Sequence, residues 1–164
     1  MRSWPGTGYR GWKRLAIMIN NKPDFTIFTD GGSRGNPGPS AIGVVIKGDA
    51  VGKKEYGEYI GIQTNNFAEY TAVIFALKKL KQLIGTDKAK ESTVRVNADS
   101  ELLVKQVNGE YKIKEDSIRD LFLELWNLRL DFKKILFSHV FREVNTEADR
   151  MANYALDREE NKLL

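Results

Sequence analysis

The chain has 164 residues, of which 41% are hydrophobic and 29% are charged, with a formal net charge of +4. This composition is that of an ordinary globular domain with its own core and argues against a disordered protein. Because cysteine is absent and His139 is the single histidine, disulfides and thiolate catalysis are excluded and a zinc site is disfavoured. No apolar run reaches the ~18 residues that a membrane helix needs, so we expect a cytoplasmic protein.

The first 22 residues form a basic, aromatic segment without helical or strand periodicity. Residues 1–24 carry five basic side chains and one acidic side chain, so the net charge of the chain belongs to this end. Trp4, Tyr9 and Trp12 lie among its arginines and glycines. We expect either a flexible tail, with Met18 as an alternative start, or an arm that contacts nucleic acid. Residues 23–160 are expected to form the folded domain.

Three strands joined by short turns are predicted to open the folded domain. They are Phe25–Asp30, Ala41–Lys47 and Lys53–Gly61, a succession typical of an antiparallel meander. A predicted bend over residues 31–39 separates the first two strands and contains four glycines and two prolines. Asp30 therefore stands where a strand meets a glycine-rich turn.

Helices alternate with strands in the second half of the domain. The predicted elements are, in order, a helix from Asn66 to about Ile84, a strand over Val94–Ala98, helices over Glu101–Asn108 and Ile118–Phe132, a strand over Ile135–Phe141 and a helix from Thr146. Ser100 is a predicted N-cap, and Ser117 with Asp120 a predicted capping box. The order predicts an α/β fold whose mixed five-stranded sheet, three antiparallel strands and then two parallel, is flanked by helices.

Four carboxylates stand at the boundaries of these elements: Asp30, Glu69, Asp99 and Asp149. If the strands that end at Asp30 and Asp99 are parallel neighbours, their carboxylates lie about 5 Å apart. Glu69 and Asp149 lie in first turns of helices that could close the remaining sides. Each acid also has a structural interpretation, as a turn residue, a strand end or a member of a capping box.

Together the four acids predict a metal centre. Clustered carboxylates repel one another unless divalent cations neutralise them. Oxygen ligands without histidine or thiolate select Mg²⁺ or Mn²⁺. Two such ions about 4 Å apart support in-line displacement at a phosphodiester.

Four blocks of the sequence resemble those of type 1 ribonuclease H in their order and distances. The blocks are DGGSRGNPGPSAIGVVI, TNNFAEYTAVIFAL, VNADSELLVKQVNGEYKIK and VNTEADRMANYAL, between about Phe25 and Leu156. The resemblance implies a ribonuclease H-like fold and internal cleavage of the RNA strand of RNA/DNA hybrids. It also implies two Mg²⁺ ions, which Mn²⁺ can replace, and products with 5′-phosphate and 3′-hydroxyl ends. A monomer is expected.

The resemblance also implies roles for individual residues. Its catalytic, metal-binding acids fall on Asp30, Glu69, Asp99 and Asp149. Asp30 would bridge both ions, Asp149 would complete the ion beside the attacking water, and the other two would hold the ion beside the leaving group. The implied substrate-binding residues, some of which would detect the 2′-hydroxyl of RNA, are Ser33, Arg34, Gly35, Asn36, Thr64, Asn65, Asn66 and Glu101.

Three features depart from the family pattern. Glu101 stands where many relatives carry a glutamine that contacts the minor groove. The basic handle between the second and third helices is missing, and only GEYKIKED connects them. Many relatives also carry a histidine in the loop before the last aspartate, whereas this run reads HVFREVNTEAD. His139 falls inside a predicted strand, so we interpret it as structural.

Two other functions fit the same fold: a DNA-directed nuclease and a nuclease-dead module that binds nucleic acid. Exonucleases of this architecture usually carry a second acid two residues after the first, and Gly32 occupies that position. A nuclease-dead module should have lost at least one of the four acids, yet all four positions are filled. The sequence therefore favours cleavage of RNA/DNA hybrids.

Overall fold

The computed structural model describes residues 22–164, so the predictions for the N-terminal segment lie outside the described residues. The strands are β1 (Phe25–Ser33), β2 (Gly38–Gly48), β3 (Gly52–Gln63), β4 (Thr93–Ala98) and β5 (Lys134–His139). The helices are α1 (Asn65–Ile84), α2 (Thr86–Glu91), α3 (Glu101–Val107), α4 (Asp116–Arg129) and α5 (Thr146–Lys162), with a 3₁₀ turn at Arg142–Val144. Among these residues no helix is both long and apolar enough to span a membrane.

The five strands form one mixed sheet in the order β3-β2-β1-β4-β5. Strands β1, β2 and β3 pair antiparallel, whereas β4 pairs parallel with both β1 and β5. This confirms the predicted sheet. In the central parallel pair Thr29 is aligned with Ala98, so Asp30 and Asp99 follow at the same end of neighbouring strands.

The predicted bend after Asp30 is mostly strand. Strand β1 continues to Ser33 and β2 begins at Gly38, with Gly32 paired to Ala41. Only residues 34–37 form the turn, and the Asn36–Pro37 peptide bond is cis. Gly31 and Gly32 are predicted in the bend, but ladder hydrogen bonds to β2 satisfy their backbone groups and keep the strand extended.

One predicted helix start and one predicted strand end were wrong, and one N-cap is confirmed. The short helix α2 was not predicted. Helix α4 begins at Asp116 after Glu115, without a side-chain cap, so the capping box at Ser117 is absent. Ser100 does cap α3, because its hydroxyl accepts a hydrogen bond from the Leu103 N–H at 3.2 Å. Strand β5 ends at His139, two residues before its predicted end.

The main hydrophobic core joins the sheet to α1, α3 and α4. Its largest fully buried members include Phe25 and Ile27 of β1 and Tyr70, Leu77 and Leu80 of α1. Since neighbouring residues of a strand point to opposite faces of a sheet, these β1 side chains face away from Asp30. The core therefore fixes β1 without filling the space around Asp30.

Helix α5 covers the other face of the sheet at very short range. A Cβ atom on Gly43 would lie 1.8 Å from the Ala148 carbonyl oxygen, and one on Gly57 would lie 2.3 Å from that of Met151. The helix thus lies directly on the backbone of β2 and β3. Because Gly43 pairs with Asp30 in the sheet, this contact brings Asp149, the residue after Ala148, beside Asp30.

Gly43→Ala is expected to destabilise the fold, because the added methyl group meets the backbone of α5. We expect its free energy of unfolding to fall by about 1–3 kcal/mol, as in other overpacked cores. Gly32→Ala is the control, since a Cβ there meets nothing within 4 Å, and we expect a change within about 0.5 kcal/mol. Urea denaturation measures both, and equal stabilities would contradict the close-contact explanation.

Candidate active site

Three carboxylates meet at the end of the central strands. Asp30, Glu69 and Asp99 each offer a carboxylate oxygen, and these oxygens lie within 4.8 Å of one another. Asp30 and Asp99 come together because β1 and β4 run parallel. Strand β4 ends at Ala98 while β1 continues to Ser33, which leaves an open space beside the extension of β1.

Glu69 reaches this space because α1 touches the backbone of β1. A Cβ atom on Gly31 would lie 2.3 Å from the Glu69 nitrogen, so a larger residue would push the helix away. The Gly31 backbone N–H faces the Glu69 carboxylate and partly opposes the rise in its pKa. Thr64 is the N-cap of α1 and accepts from the Phe67 N–H at 3.2 Å. Glu69 therefore lies beyond the capping-box position, and its capping interpretation was wrong.

Asp149 approaches the same cleft from α5. The N-cap of that helix is Asn145, without a side-chain cap hydrogen bond, so Asp149 does not belong to a capping box either. Its side chain is within hydrogen-bond reach of Asp30 and lines the cleft with the other three acids. The structure thus brings all four predicted acids to one place, with Asp149 outside the tight group of three.

Burial and neighbouring charge raise the pKa of two of the carboxylates, Asp30 and Glu69. Burial, followed by the charges of Asp99 and Asp149, raises the pKa of Asp30 to about 7. Burial, followed by the charges of Asp30 and Asp99, raises the pKa of Glu69 well above its ordinary value. Arg142 opposes both shifts, and its Nε lies 3.9 Å from the Asp99 Oδ2 atom. One exposed guanidinium does not neutralise such a cluster, so the site favours a divalent cation.

The acids open into a cleft of about 800 Å³. One wall is polar and includes Ser33, Asn65 and Asn66. The Ser33 N–H donates to the Asn65 Oδ1 atom at 2.9 Å, and the Asn65 N–H donates to the Asn36 Oδ1 atom at 3.1 Å. These bonds hold the turn between β1 and β2 against the start of α1, so amide groups of both segments stand beside the acids.

Five predicted substrate-binding residues lie outside the lining of this cleft: Arg34, Gly35, Asn36, Thr64 and Glu101. Arg34 forms ion pairs with Asp157 at 2.5 Å and Glu160 at 2.7 Å on α5. Glu101 forms an ion pair with Lys105 at 2.8 Å. Gly35 has a φ of 101° in the turn, a value that suits glycine. Their contacts with substrate stay predictions.

The end of β5 and the residues after it also line the cleft, although they are not among the predicted site residues. His139 was interpreted as structural, but it ends β5, is exposed and places Nε2 3.2 Å from the Asp99 carbonyl oxygen. Phe141, Arg142 and Glu143 follow it along the rim. The signal was available, because β5 is a parallel strand and its carboxyl end lies at the same sheet edge as that of β4.

Comparison with known proteins places this site in a family. Residues 28–155 match the family described as reverse transcriptase-like. LC11-RNase H1, isolated from compost by a metagenomic approach and solved in complex with an RNA/DNA hybrid, is 41% identical, with a TM-score of 0.76. That match covers 82% of this chain and 98% of the other. The RNase H1 of Halobacterium salinarum is 36% identical over 82% of this chain and 98% of that structure, with a TM-score of 0.73.

A longer relative contains the same domain. The Mycobacterium tuberculosis relative, named a bifunctional protein, is 38% identical over 133 residues, which are 80% of this chain and 35% of that protein. The chain thus spans about a third of its length. The solved N-terminal RNase H domain of that protein is 36% identical, with a TM-score of 0.76, and the match covers 87% of this chain and all of that domain.

The segment between α3 and α4 completes the assignment. It contains only residues 108–115, so the basic handle is absent, as the sequence predicts. The fold, the acids at the ends of β1 and β4, and the matches over most of the chain agree. The chain belongs to the type 1 ribonuclease H family, in the variety without a handle.

Proposed function

We propose that this protein hydrolyses the RNA strand of RNA/DNA hybrids internally, leaving 5′-phosphate and 3′-hydroxyl ends. The observation that carries the proposal is the group of three carboxylates within 4.8 Å, open to a cleft with an amide-lined wall. The complex of LC11-RNase H1 with an RNA/DNA hybrid supports the choice of substrate. All the groups of the site come from one chain, so we propose that a monomer is sufficient.

The donor set fits two Mg²⁺ ions. All four candidate ligands are carboxylates, the hard oxygen donors that Mg²⁺ and Mn²⁺ prefer. Asp30 belongs to the group of three with Glu69 and Asp99 and also interacts with Asp149, so it is the candidate ligand shared by both ions. When bound, such ions activate water and stabilise the leaving oxygen.

The residues of the chain perform positioning and charge compensation. The two central strands and the backbone contacts at Gly31 and Gly43 fix the acids before substrate arrives, and preorganised charge of this kind is a major source of catalysis. Arg142 adds a positive group beside Asp99, where a phosphate would approach. No side chain need form a covalent bond with the substrate.

The polar wall provides strand discrimination. A 2′-hydroxyl both donates and accepts hydrogen bonds, and it distinguishes RNA from DNA. Ser33, Asn65 and Asn66 present hydroxyl and amide groups at the cleft beside the acids. The hydrogen bonds between Ser33, Asn65 and Asn36 hold these groups in place. We infer that the strand with 2′-hydroxyls is the one placed over the carboxylates.

The direct test is cleavage of end-labelled duplexes in Mg²⁺ or Mn²⁺. We expect internal cuts in the RNA strand of an RNA/DNA hybrid and none in RNA/RNA or DNA/DNA duplexes. A chelator should abolish cleavage. Cleavage of DNA, or hybrid binding without cleavage, would overturn the proposal and favour one of the two other functions.

Asp30→Asn is expected to abolish cleavage while stabilising the metal-free fold. Because the folded-state pKa of Asp30 is raised to about 7, the native state binds more protons than the unfolded state between about pH 4 and pH 7. Wild-type stability should therefore fall as pH rises through this window. The variant should lack this loss and be more stable at pH 8 by on the order of 2 kcal/mol.

Urea unfolding in a chelator at pH 5 and pH 8 measures this effect. Asp87→Asn, which replaces an exposed acid of α2 far from the cluster, is the control. It should change neither cleavage nor the pH dependence. A marked destabilisation of Asp30→Asn at pH 8 would instead indicate that the Asp30 carboxylate has a structural role.

Metal binding should raise the melting temperature of the wild-type protein. Ligand at about 100 times its Kd stabilises a fold by ~2.7 kcal/mol, and relief of carboxylate repulsion is the physical source here. We expect Mg²⁺ to raise the melting temperature and a chelator to reverse the rise. Calorimetry measures the melting temperature with and without Mg²⁺, and Asp30→Asn should show a much smaller rise than the wild-type protein. An equal rise would indicate that the ion binds elsewhere.

A further inference from the structure

Asn145 occupies the N-cap position of α5 but does not cap the helix. An N-cap asparagine ordinarily accepts a hydrogen bond from a backbone N–H of the first turn, and no such bond is present. Its Nδ2 instead donates to the Thr29 carbonyl oxygen at 2.8 Å. The residue is only 1% exposed, so this bond is shielded from water.

This arrangement carries two costs to stability. Helix α5 begins without a side-chain cap, although asparagine is among the best capping residues. The Asn145 Oδ1 atom is buried and has no hydrogen-bond partner among the described residues. A buried acceptor without a partner is unfavourable. The φ and ψ of Asn145, −101° and 23°, lie outside the extended region from which an N-cap side chain ordinarily reaches the first turn, and the side chain bonds to Thr29 instead.

The hydrogen bonds of Asn145 connect the two segments that carry metal-binding acids. Thr29 is fully buried and immediately precedes Asp30 in β1. The Asn145 carbonyl oxygen accepts from the Asp149 N–H at 3.1 Å. One buried residue is thus bonded to the strand beside Asp30 and to the helical turn of Asp149.

We propose that Asn145 is a positioning residue that fixes the distance between Asp30 and Asp149, and this inference rests on the proposed function. The two carboxylates repel each other, so the start of α5 tends to move away from β1 when no cation is bound. The contact between α5 and Gly43 limits how near the helix lies to β2. It does not by itself prevent the helix from rotating about that contact. A buried hydrogen bond is directional and holds the acids at the spacing that a cation needs.

Asn145→Ser separates this role from a purely structural one. Its shorter side chain releases Thr29, and at φ −101° and ψ 23° the serine hydroxyl is not placed to cap α5. We expect a fall in melting temperature comparable to the loss of one buried hydrogen bond, together with a loss of about tenfold in Mn²⁺ affinity, since groups that orient metal ligands typically contribute 10- to 100-fold. Isothermal titration with Mn²⁺ in the absence of nucleic acid measures the affinity, and the maximal cleavage rate should fall in parallel.

Ser92→Ala is the matched control. The Ser92 hydroxyl is 3% exposed and donates to the Lys88 carbonyl oxygen at 2.6 Å, at the opposite end of β4 from the acids. Its loss removes a buried bond between a side chain and the backbone, so the melting temperature should fall while Mn²⁺ affinity stays at the wild-type value. Asn145→Ala, measured at a temperature where circular dichroism shows it folded, should lose both stability and affinity.

The outcomes distinguish a failure of the positioning role of Asn145 from a failure of the proposed function. Wild-type Mn²⁺ affinity and cleavage rate in Asn145→Ser and Asn145→Ala would overturn the positioning role and leave the proposed function standing. Loss of affinity in the Asn145 variants alone would support it, and equal loss in Ser92→Ala would contradict it as an effect of general destabilisation. If the wild-type protein itself neither bound Mn²⁺ nor cleaved the hybrid, the proposed function would fail first.

Discussion

Mutual repulsion among carboxylates held within 4.8 Å is the constraint on which the site depends. Left to themselves, acids at strand ends and helix starts would separate, because each lowers the stability of the others' charged forms. The fold opposes this separation with close backbone contacts. Strand β1 pairs with β4, α1 lies against Gly31, and α5 lies against Gly43. Burial first, and the charges of neighbouring acids second, raise the pKa values of Asp30 and Glu69.

The same constraint explains why the structure around the cleft contains features that lower the stability of the fold. The hydrophobic core lies on the α1 and α4 side of the sheet, and it supplies the stability that the cleft lacks. Around the cleft the chain tolerates buried charge, a buried Asn145 oxygen without a partner and an uncapped helix. Departures from locally favourable structure are expected at functional sites, and here they surround the four acids.

The cleft also shows how one chain can separate chemistry from recognition. The acids come from the ends of rigid elements, whereas the polar wall comes from a turn tied to α1 by hydrogen bonds of Ser33, Asn36 and Asn65. Arg34, predicted to bind substrate, forms two ion pairs that hold the same turn against α5. Exposed ion pairs contribute little to stability, so their effect is to orient the turn.

The sequence alone determined the order of the strands along the chain, the mixed sheet and the positions of the four acids at the ends of elements. Hydrophobic periodicity and the spacing of the sequence blocks can be read directly from the chain. Tertiary structure decided what those signals omit. Gly31, predicted in a turn, and Gly43, predicted in a strand, are both sites of close backbone contact with helices. The N-cap positions are Thr64 and Asn145, so Glu69 and Asp149 lie beyond the capping-box position and face the cleft. His139 and Asn145 acquired their places only from partners distant in sequence, Asp99 and Thr29, which no local pattern specifies.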